Sequence, residues 1–426
     1  MDSPIIIHGH FSPHYQALYD AFTANFIERG DVGAAAALVV DGELVVDLWA
    51  GTVAPGEAPP WQADTLANIW STTKGVTAIC FAMLATRGQI DYERAVAEYW
   101  PEFAANGKGA VTVAQLLSHQ AGLCGFRRPA RVEDFYDAHK AAKELAAMEP
   151  FWQPGSNAGY HAITIGLLAT ALFEKVEGRS LRQFVADELA DYDISIGLPA
   201  IRAHRAATMI APPHMGTEAL MTELTQPQMA ALANPPLDPL LPNDPAWRAA
   251  EIPSANGFAT ARGLAQLYGE LARGGGNLVS PDVLRTATQV RYDALDAVLG
   301  VPARWAAGFL RNVSGIYGES EAAYGHGGWG GSFAFADPDR RIGFAYHEPN
   351  GHRSYRRSAQ YSVDCEHLAK APFPPISCRC ALRPNSGHHY ETDAIISAAA
   401  AFRRPSPPTE RRQLGGKPTR PSASSD

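Results

Sequence analysis

"NIWSTTKGVTAICFAMLATRG", Asn68 to Gly88, is the stretch from which the rest of the chain can be read. Ser71 and Lys74 open a run that stays apolar for almost three helical turns. Residues three apart on a helix share a face, so a hydroxyl and an ammonium meet at the mouth of a segment that otherwise reads as buried. At a helix N-terminus the unpaired N–H groups and the positive end of the dipole favour a developing anion, and the Ser71 N–H can point at an acyl oxygen. A lysine walled in by apolar side chains loses the solvation of its ammonium. Its pKa falls, and it can act as a base toward Ser71 Oγ. The ordinary alternative is an N-cap serine beside a solvated lysine, and a Ser-x-x-Lys match arises by chance about once in a chain of this size. The functional reading therefore needs partners elsewhere.

Two stretches supply candidates. In "WQPGSNAGYHAITIGLL" the residues Trp152-Gln153-Pro154-Gly155 read as a turn and Tyr160 as the start of a helix. A phenol there can take or relay the serine proton; the plain alternative is a packed tyrosine with a hydrogen-bonded hydroxyl. In "YGHGGWGGS", Tyr324 to Ser332, glycines in a strand let a substrate approach the backbone, and a strand N–H near Trp329 or Ser332 would complete an oxyanion hole. Its alternative is a glycine-rich turn or bulge.

Around these pieces the order of elements is legible. "HYQALYDAFTANFIERG" repeats Leu18, Phe22 and Phe26 every four residues, a helix ended by Gly30. "VGAAAALVVDGELVVDLWAG" alternates around Asp41-Gly42, a two-residue hairpin signal. From about residue 71 to 276 the chain reads as mainly helical. Strands return in "YGHGGWGGSFAFADPDRRIGFAYH", with a turn at Asp337 to Arg340. Two strands early, helices in the middle and strands late imply an α+β fold: an antiparallel sheet from about 1–70 and 277–346, flanked by helices and interrupted by a large helical insertion over 71–276.

Composition narrows the function. The chain has 426 residues and a formal charge of −8, with no cluster of basic residues suited to nucleic acid or an anionic membrane. No run approaches the 18 apolar residues of a membrane span. The first ten residues lack the basic region of a signal peptide. Five cysteines, odd in number and mostly scattered, argue against a disulfide framework, so a reducing cytoplasm is expected. His8, His10 and His14 lack acidic or cysteine partners at metal-binding spacing and read as loop residues, so neither a metal nor a cofactor is expected. Ser254-Ala255-Asn256 reads as the cap of the helix that follows, and Gly274-Gly275-Gly276 as a helix stop.

The three pieces together carry a resemblance. Ser71-Thr72-Thr73-Lys74 is similar to the Ser-x-x-Lys motif of β-lactamases and penicillin-binding proteins. Tyr160-His161-Ala162 is similar to their Tyr-x-Asn motif, and His326-Gly327-Gly328 to their Lys-Thr-Gly strand. "VTVAQLLSHQAGL" (Val111 to Leu123) also looks like family text. Over Gly9 to Tyr346 the chain resembles this serine hydrolase superfamily, class C-like, and most of all the family VIII carboxylesterases. The resemblance implies a β-lactamase/transpeptidase-like fold. It also implies Ser71 as nucleophile, Lys74 and Tyr160 as the base system, and substrate or oxyanion contacts from His326, Gly328, Trp329 and Ser332. The expected substrate is a small-molecule ester, with weak β-lactamase activity as an accompaniment. The sequence leaves the oligomeric state undefined. The alternatives within the superfamily are a β-lactamase or D-alanyl-peptide hydrolase, an acyltransferase, and a non-catalytic penicillin-binding-like protein.

Two departures favour esters. Ala162 stands where lactam hydrolases carry an amide that bonds the drug's side chain, and His326 replaces a lysine that would meet a carboxylate. A mostly neutral imidazole is the weaker counter-charge at pH 7. Trp329-Gly330-Gly331 offers a second register, because other esterases carry Trp-Gly-Gly on the same strand.

The last stretch changes character. From His347 to Asp426 there are 12 Lys and Arg against 7 Asp and Glu, whereas residues 1–346 hold 24 against 37. A domain over 1–346 is therefore expected to be followed by an atypical Pro-, Ser- and Arg-rich tail over 347–426. Two explanations stand side by side for it: a shifted reading frame and a genuine extension.

Overall fold

The computed structural model describes residues 5–211 and 224–349. An edge strand, β1 (Ile7–Phe11), precedes the helix α1 (Gln16–Arg29), which Gly30 ends in a left-handed conformation at φ 73°. The hairpin strands β2 (Gly33–Val40) and β3 (Glu43–Gly51) follow. They turn through Asp41 at φ 58° and Gly42 at φ 90°, the positive pair that a two-residue hairpin with right-handed twist requires. Short strands β4 (Ala67–Asn68), β5 (Ile194–Ile196) and β6 (Gly257–Ala259) make a separate three-stranded sheet. Late in the chain come β7 (Tyr292–Leu295), β8 (Pro302–Trp305), β9 (Leu310–Arg311), β10 (Tyr324–Gly327), β11 (Phe333–Asp337) and β12 (Ile342–His347). The main sheet has nine strands in the order β1-β3-β2-β12-β11-β10-β9-β8-β7, and every pairing is antiparallel. The pairing of β2 with β12 joins the two ends of the described chain, so the helical segment between them is an insertion into one sheet.

The residues of the central strands explain how the two faces are covered. Phe333, Phe335, Phe344 and Tyr346 lie on one face with Leu18 and Phe22 of α1. The alternate positions are small: Gly343 and Ala345 on β12, Ala334 and Ala336 on β11. Over them lies the helix Ala261–Ala272, and a methyl group on Gly343 would fall 2.2 Å from Gly269 N and 2.3 Å from Ala265 O. Side-chain size thus sets a thick aromatic layer on one face and backbone contact on the other, as the period-two geometry of a strand allows. The helix α2 (Thr73–Thr86) is buried from Thr73 to Leu84, and the sheet reaches it through β10.

Several expectations are corrected. Four strands precede the helical region, since β1 also pairs with β3 and β4 joins the small sheet, and His8 and His10 lie exposed on β1 and not in a loop. The helical region contains β5 and β6. Tyr160 does not begin a helix: the helix there is Thr164–Glu177, and residues 157–161 belong to no helix or strand. The physical reason is that tertiary acceptors take their N–H groups, Asp296 that of Tyr160 and His119 that of His161. The cap of Ala261–Ala272 is Thr260, which accepts from the Gly263 N–H, and not Ser254. Strand β12 runs one residue past Tyr346. Of the atypical tail over 347–426, all beyond Pro349 lies outside the described residues, as do Cys365, Cys378 and Cys380.

Candidate active site

The approach to Ser71 is backbone under constraint. Trp70, just before it, holds φ 41°, a left-handed value that costs a non-glycine residue on the order of 1–3 kcal/mol. Its ring is fixed between Trp247, 5.4 Å away, and Trp329, 4.9 Å away, and its N–H donates to Asn68 Oδ1 at 3.2 Å. Ser71 therefore sits in a short 3-10 turn, Trp70–Thr72, that feeds directly into α2, half-buried at the base of a cleft.

Lys74 lies on the first turn of α2 and is buried. Its Nζ meets Ser71 Oγ at 3.0 Å, Ala162 O at 2.8 Å and Ser254 O at 2.9 Å. No carboxylate is among these partners, and burial pushes the lysine well below its ordinary value. Once the amine is neutral, two N–H bonds remain, and the two carbonyls are their acceptors. The lone pair is then left facing Ser71 Oγ. The Ser254 carbonyl is aimed by Asn256, whose side chain accepts from Ile252 N–H at 2.9 Å and donates to Trp247 O and Ala250 O. Ser254 Oγ donates in turn to Ile163 O at 2.8 Å.

Tyr160 completes this group. The Lys74 Nζ stands 4.7 Å from its ring centroid, and the Ser71 hydroxyl is near enough to its phenol to favour the phenolate. Burial raises the phenol above its ordinary value and outweighs the lowering effect of the Ser71 hydroxyl; the Asp296 charge raises it further. Tyr160 is thus a neutral phenol at pH 7. The Trp305 indole stacks on its ring at 5.7 Å and 13°, and His119 meets it edge-on at 5.1 Å.

The opposite wall comes from β10 and the turn after it. His326 is buried, with its ring 6.1 Å from that of Tyr160. Its Nδ1 bonds Gly327 O at 2.7 Å, and its Nε2 has no partner among the described residues. Burial, helped by the nearby Lys74, pushes its pKa down to about 3, so the imidazole is neutral. Gly328 has no room for a side chain, since a Cβ would lie 2.3 Å from both Ile69 O and Ser332 Oγ. Ser332 does not turn its hydroxyl to the cleft. That hydroxyl donates to Ile69 O at 2.8 Å and meets Thr72 Oγ1 at 3.1 Å, tying the strand turn to both sides of Ser71. Trp329 reaches the Trp70–Thr72 turn through its ring on Trp70.

The structure thus gathers Ser71, Lys74, Tyr160 and His326 in one cleft, with Gly328 and Trp329 packed against the Trp70–Thr72 turn. Sequence reasoning did not find Asp296, whose signal is a lone aspartate in an unremarkable loop. It noticed Ser254 and Asn256 but assigned them to a helix cap. Among the described residues no group of three or more His, Cys, Asp or Glu is arranged to hold a metal ion, and no helix is long and apolar enough to cross a membrane.

The chain is similar in sequence and fold to known proteins. The sequence profile of the Beta-lactamase family matches residues 20–360. The chain is 36% identical over 360 residues to Esterase/beta-lactamase LipL of Mycobacterium tuberculosis, covering 80% of this chain and 82% of that protein. Among solved structures, a family VIII carboxylesterase shares 42% identity at a TM-score of 0.77, covering 85% of this chain and all of the other. A penicillin-binding protein homologue from Caulobacter crescentus shares 37% identity at a TM-score of 0.76, with 85% and 100% covered.

Proposed function

We propose, from the premise that this chain belongs to the Beta-lactamase family, that it hydrolyses carboxylic esters of small acyl groups through an acyl-enzyme on Ser71. The observation that carries the reading is the setting of Lys74, a buried amine with two carbonyls on its hydrogens and Ser71 Oγ as its third partner. In the first half-reaction Ser71 Oγ bonds to the ester carbonyl carbon while its proton passes to the Lys74 lone pair. The carbonyl oxygen becomes an oxyanion beside the Ser71 N–H and an N–H of the turn near Trp329. When the carbonyl reforms, the bond to the alkoxide breaks. The proton leaves with the alcohol, delivered from Lys74 through the neutral phenol of Tyr160. Water then repeats the sequence in reverse and frees the acid and Ser71. Lys74 and Tyr160 act as a coupled pair, so the rate profile reports both.

The preference for esters over lactams rests on the departures from lactam-hydrolase motifs. Ala162 offers a methyl and no carboxamide, and the neutral His326 offers no cation to a drug carboxylate. The carboxylesterase structure favours the same side by its name, whereas the Mycobacterium protein carries both activities, esterase and beta-lactamase, in its name. Short-chain p-nitrophenyl esters are expected to exceed a chromogenic cephalosporin in kcat/KM by at least about a hundredfold, which is about 2.7 kcal/mol of transition-state discrimination. Equal efficiencies would make the β-lactamase reading the better one.

A further inference from the structure

One buried carboxylate outside the motifs touches both things that hold Tyr160 in place. Asp296 follows β7 and is fully buried. Its Oδ1 accepts three backbone N–H bonds: from Tyr160 at 3.0 Å, from Val298 at 2.9 Å and from Leu299 at 2.8 Å. Its Oδ2 accepts from the Trp305 indole Nε1 at 2.8 Å. That same indole lies flat on the Tyr160 ring. Backbone bonds fix the loop as well, because Ala297 N–H donates to Ala158 O at 2.9 Å and Asp296 N–H to Val301 O at 2.9 Å. Among the described residues this carboxylate has no salt-bridge partner and is held by four neutral donors, so both of its oxygens serve as acceptors.

The Tyr160 segment needs such a clamp. Residues 157–161 belong to no helix or strand, so no regular ladder fixes where the phenol falls. Without Asp296 the Tyr160 N–H and the buried Trp305 indole N–H would both lose their acceptors. Resting on the proposed role of Tyr160 in proton transfer, we infer that Asp296 is the positioning residue that sets the Tyr160 phenol over Lys74 and Ser71, one oxygen holding its backbone and the other holding the ring it stacks on. Asp296 touches neither Ser71 nor Lys74, so it acts through Tyr160. Its negative charge adds to burial, the larger cause, in disfavouring the phenolate.

The test uses the full chain labelled with 13C at tyrosine Cζ, the Tyr160 signal being assigned by its loss in Tyr160→Phe. Asp296→Asn keeps an oxygen for the three backbone donors but turns an amide N–H₂ toward the indole. It should shift the Tyr160 resonance and bring its titration to lower pH, while kcat on p-nitrophenyl acetate falls at least tenfold and KM changes less than threefold. Adding Trp305→Phe removes the clashing donor and keeps a stacked ring, so the double variant should recover at least half of the lost kcat on a logarithmic scale. If Asp296→Asn fails to fold, Trp305→Phe alone carries the test and should shift the same resonance. An unmoved Tyr160 resonance in whichever variant folds overturns the inference. A shifted resonance with unchanged kcat supports the positioning by Asp296 and counts instead against the proposed role of Tyr160.

Discussion

On the Lys74 side of the cleft three acceptors surround one nitrogen, Asp296 receives four donors, and His161 uses both ring nitrogens, Nε2 accepting from Leu123 N–H and Nδ1 bonding Gly159 O. On the strand side His326 keeps a buried Nε2 with no partner among the described residues. The first wall is complete before a substrate arrives. The second has an unmet polar atom, and an unpaired buried nitrogen costs roughly 1–3 kcal/mol. The difference teaches that preorganisation here is concentrated where the proposed proton transfers take place, while the proposed recognition is left to a wall that a ligand can still satisfy.

The comparison breaks most sharply if the complete wall is emptied. Lys74→Ala removes the amine and leaves the Ala162 and Ser254 carbonyls without their donor. Ester kcat should fall by about 10²–10⁴, the usual worth of a positioned base, with KM little changed. Steady-state kinetics on p-nitrophenyl acetate checks this, and a variant within a factor of three of the parent would mean that Lys74 is only a packing element.

Acid probes the same wall through stability. Burial pushes His161 down to about 4. Above pH 6.5 neither the folded nor the unfolded state protonates it. Between 6.5 and 4 the unfolded state takes a proton that the folded state refuses, so stability is lost as pH falls, by up to about 3 kcal/mol from this residue. His326 acts with the same sign. Urea midpoints at pH 7 and pH 4.5 should show the loss, and equal midpoints would mean that these imidazoles are solvated.

The smallest effect is on the strand wall. His326→Lys supplies a cation where the parent has a neutral ring, and should lower the ratio of ester to cephalosporin kcat/KM by about tenfold, near 1.4 kcal/mol. An unchanged ratio would remove His326 from substrate discrimination.

How much of this could be read from the sequence follows from the same contrast. Helix α1, the Asp41-Gly42 hairpin and the burial of α2 depend on local periodicity and turn chemistry, and they were legible. Ser71 and Lys74 were legible because both lie within one helical turn. Tyr160 could be named only through its resemblance to a motif. Its place outside any helix was not legible, since it depends on Asp296, 136 positions away in sequence. Asn256 and Ser254 were misread for a related reason: a Ser before an apolar helix is a good cap by local rules, and here tertiary bonds to Ile163 and Lys74 outcompete that use. The short strands β5 and β6 were hidden because three residues carry too little alternation to be seen.

The central claim, an acyl-enzyme on Ser71, is tested most directly by intact-mass and peptide mapping of protein quenched with acid during turnover of p-nitrophenyl acetate. The account predicts one added acetyl group, mapped to the peptide containing Ser71, and no acetyl group on Ser71→Ala, whose ester turnover is lost. An acetyl group on another residue, or turnover that persists in Ser71→Ala, would contradict it.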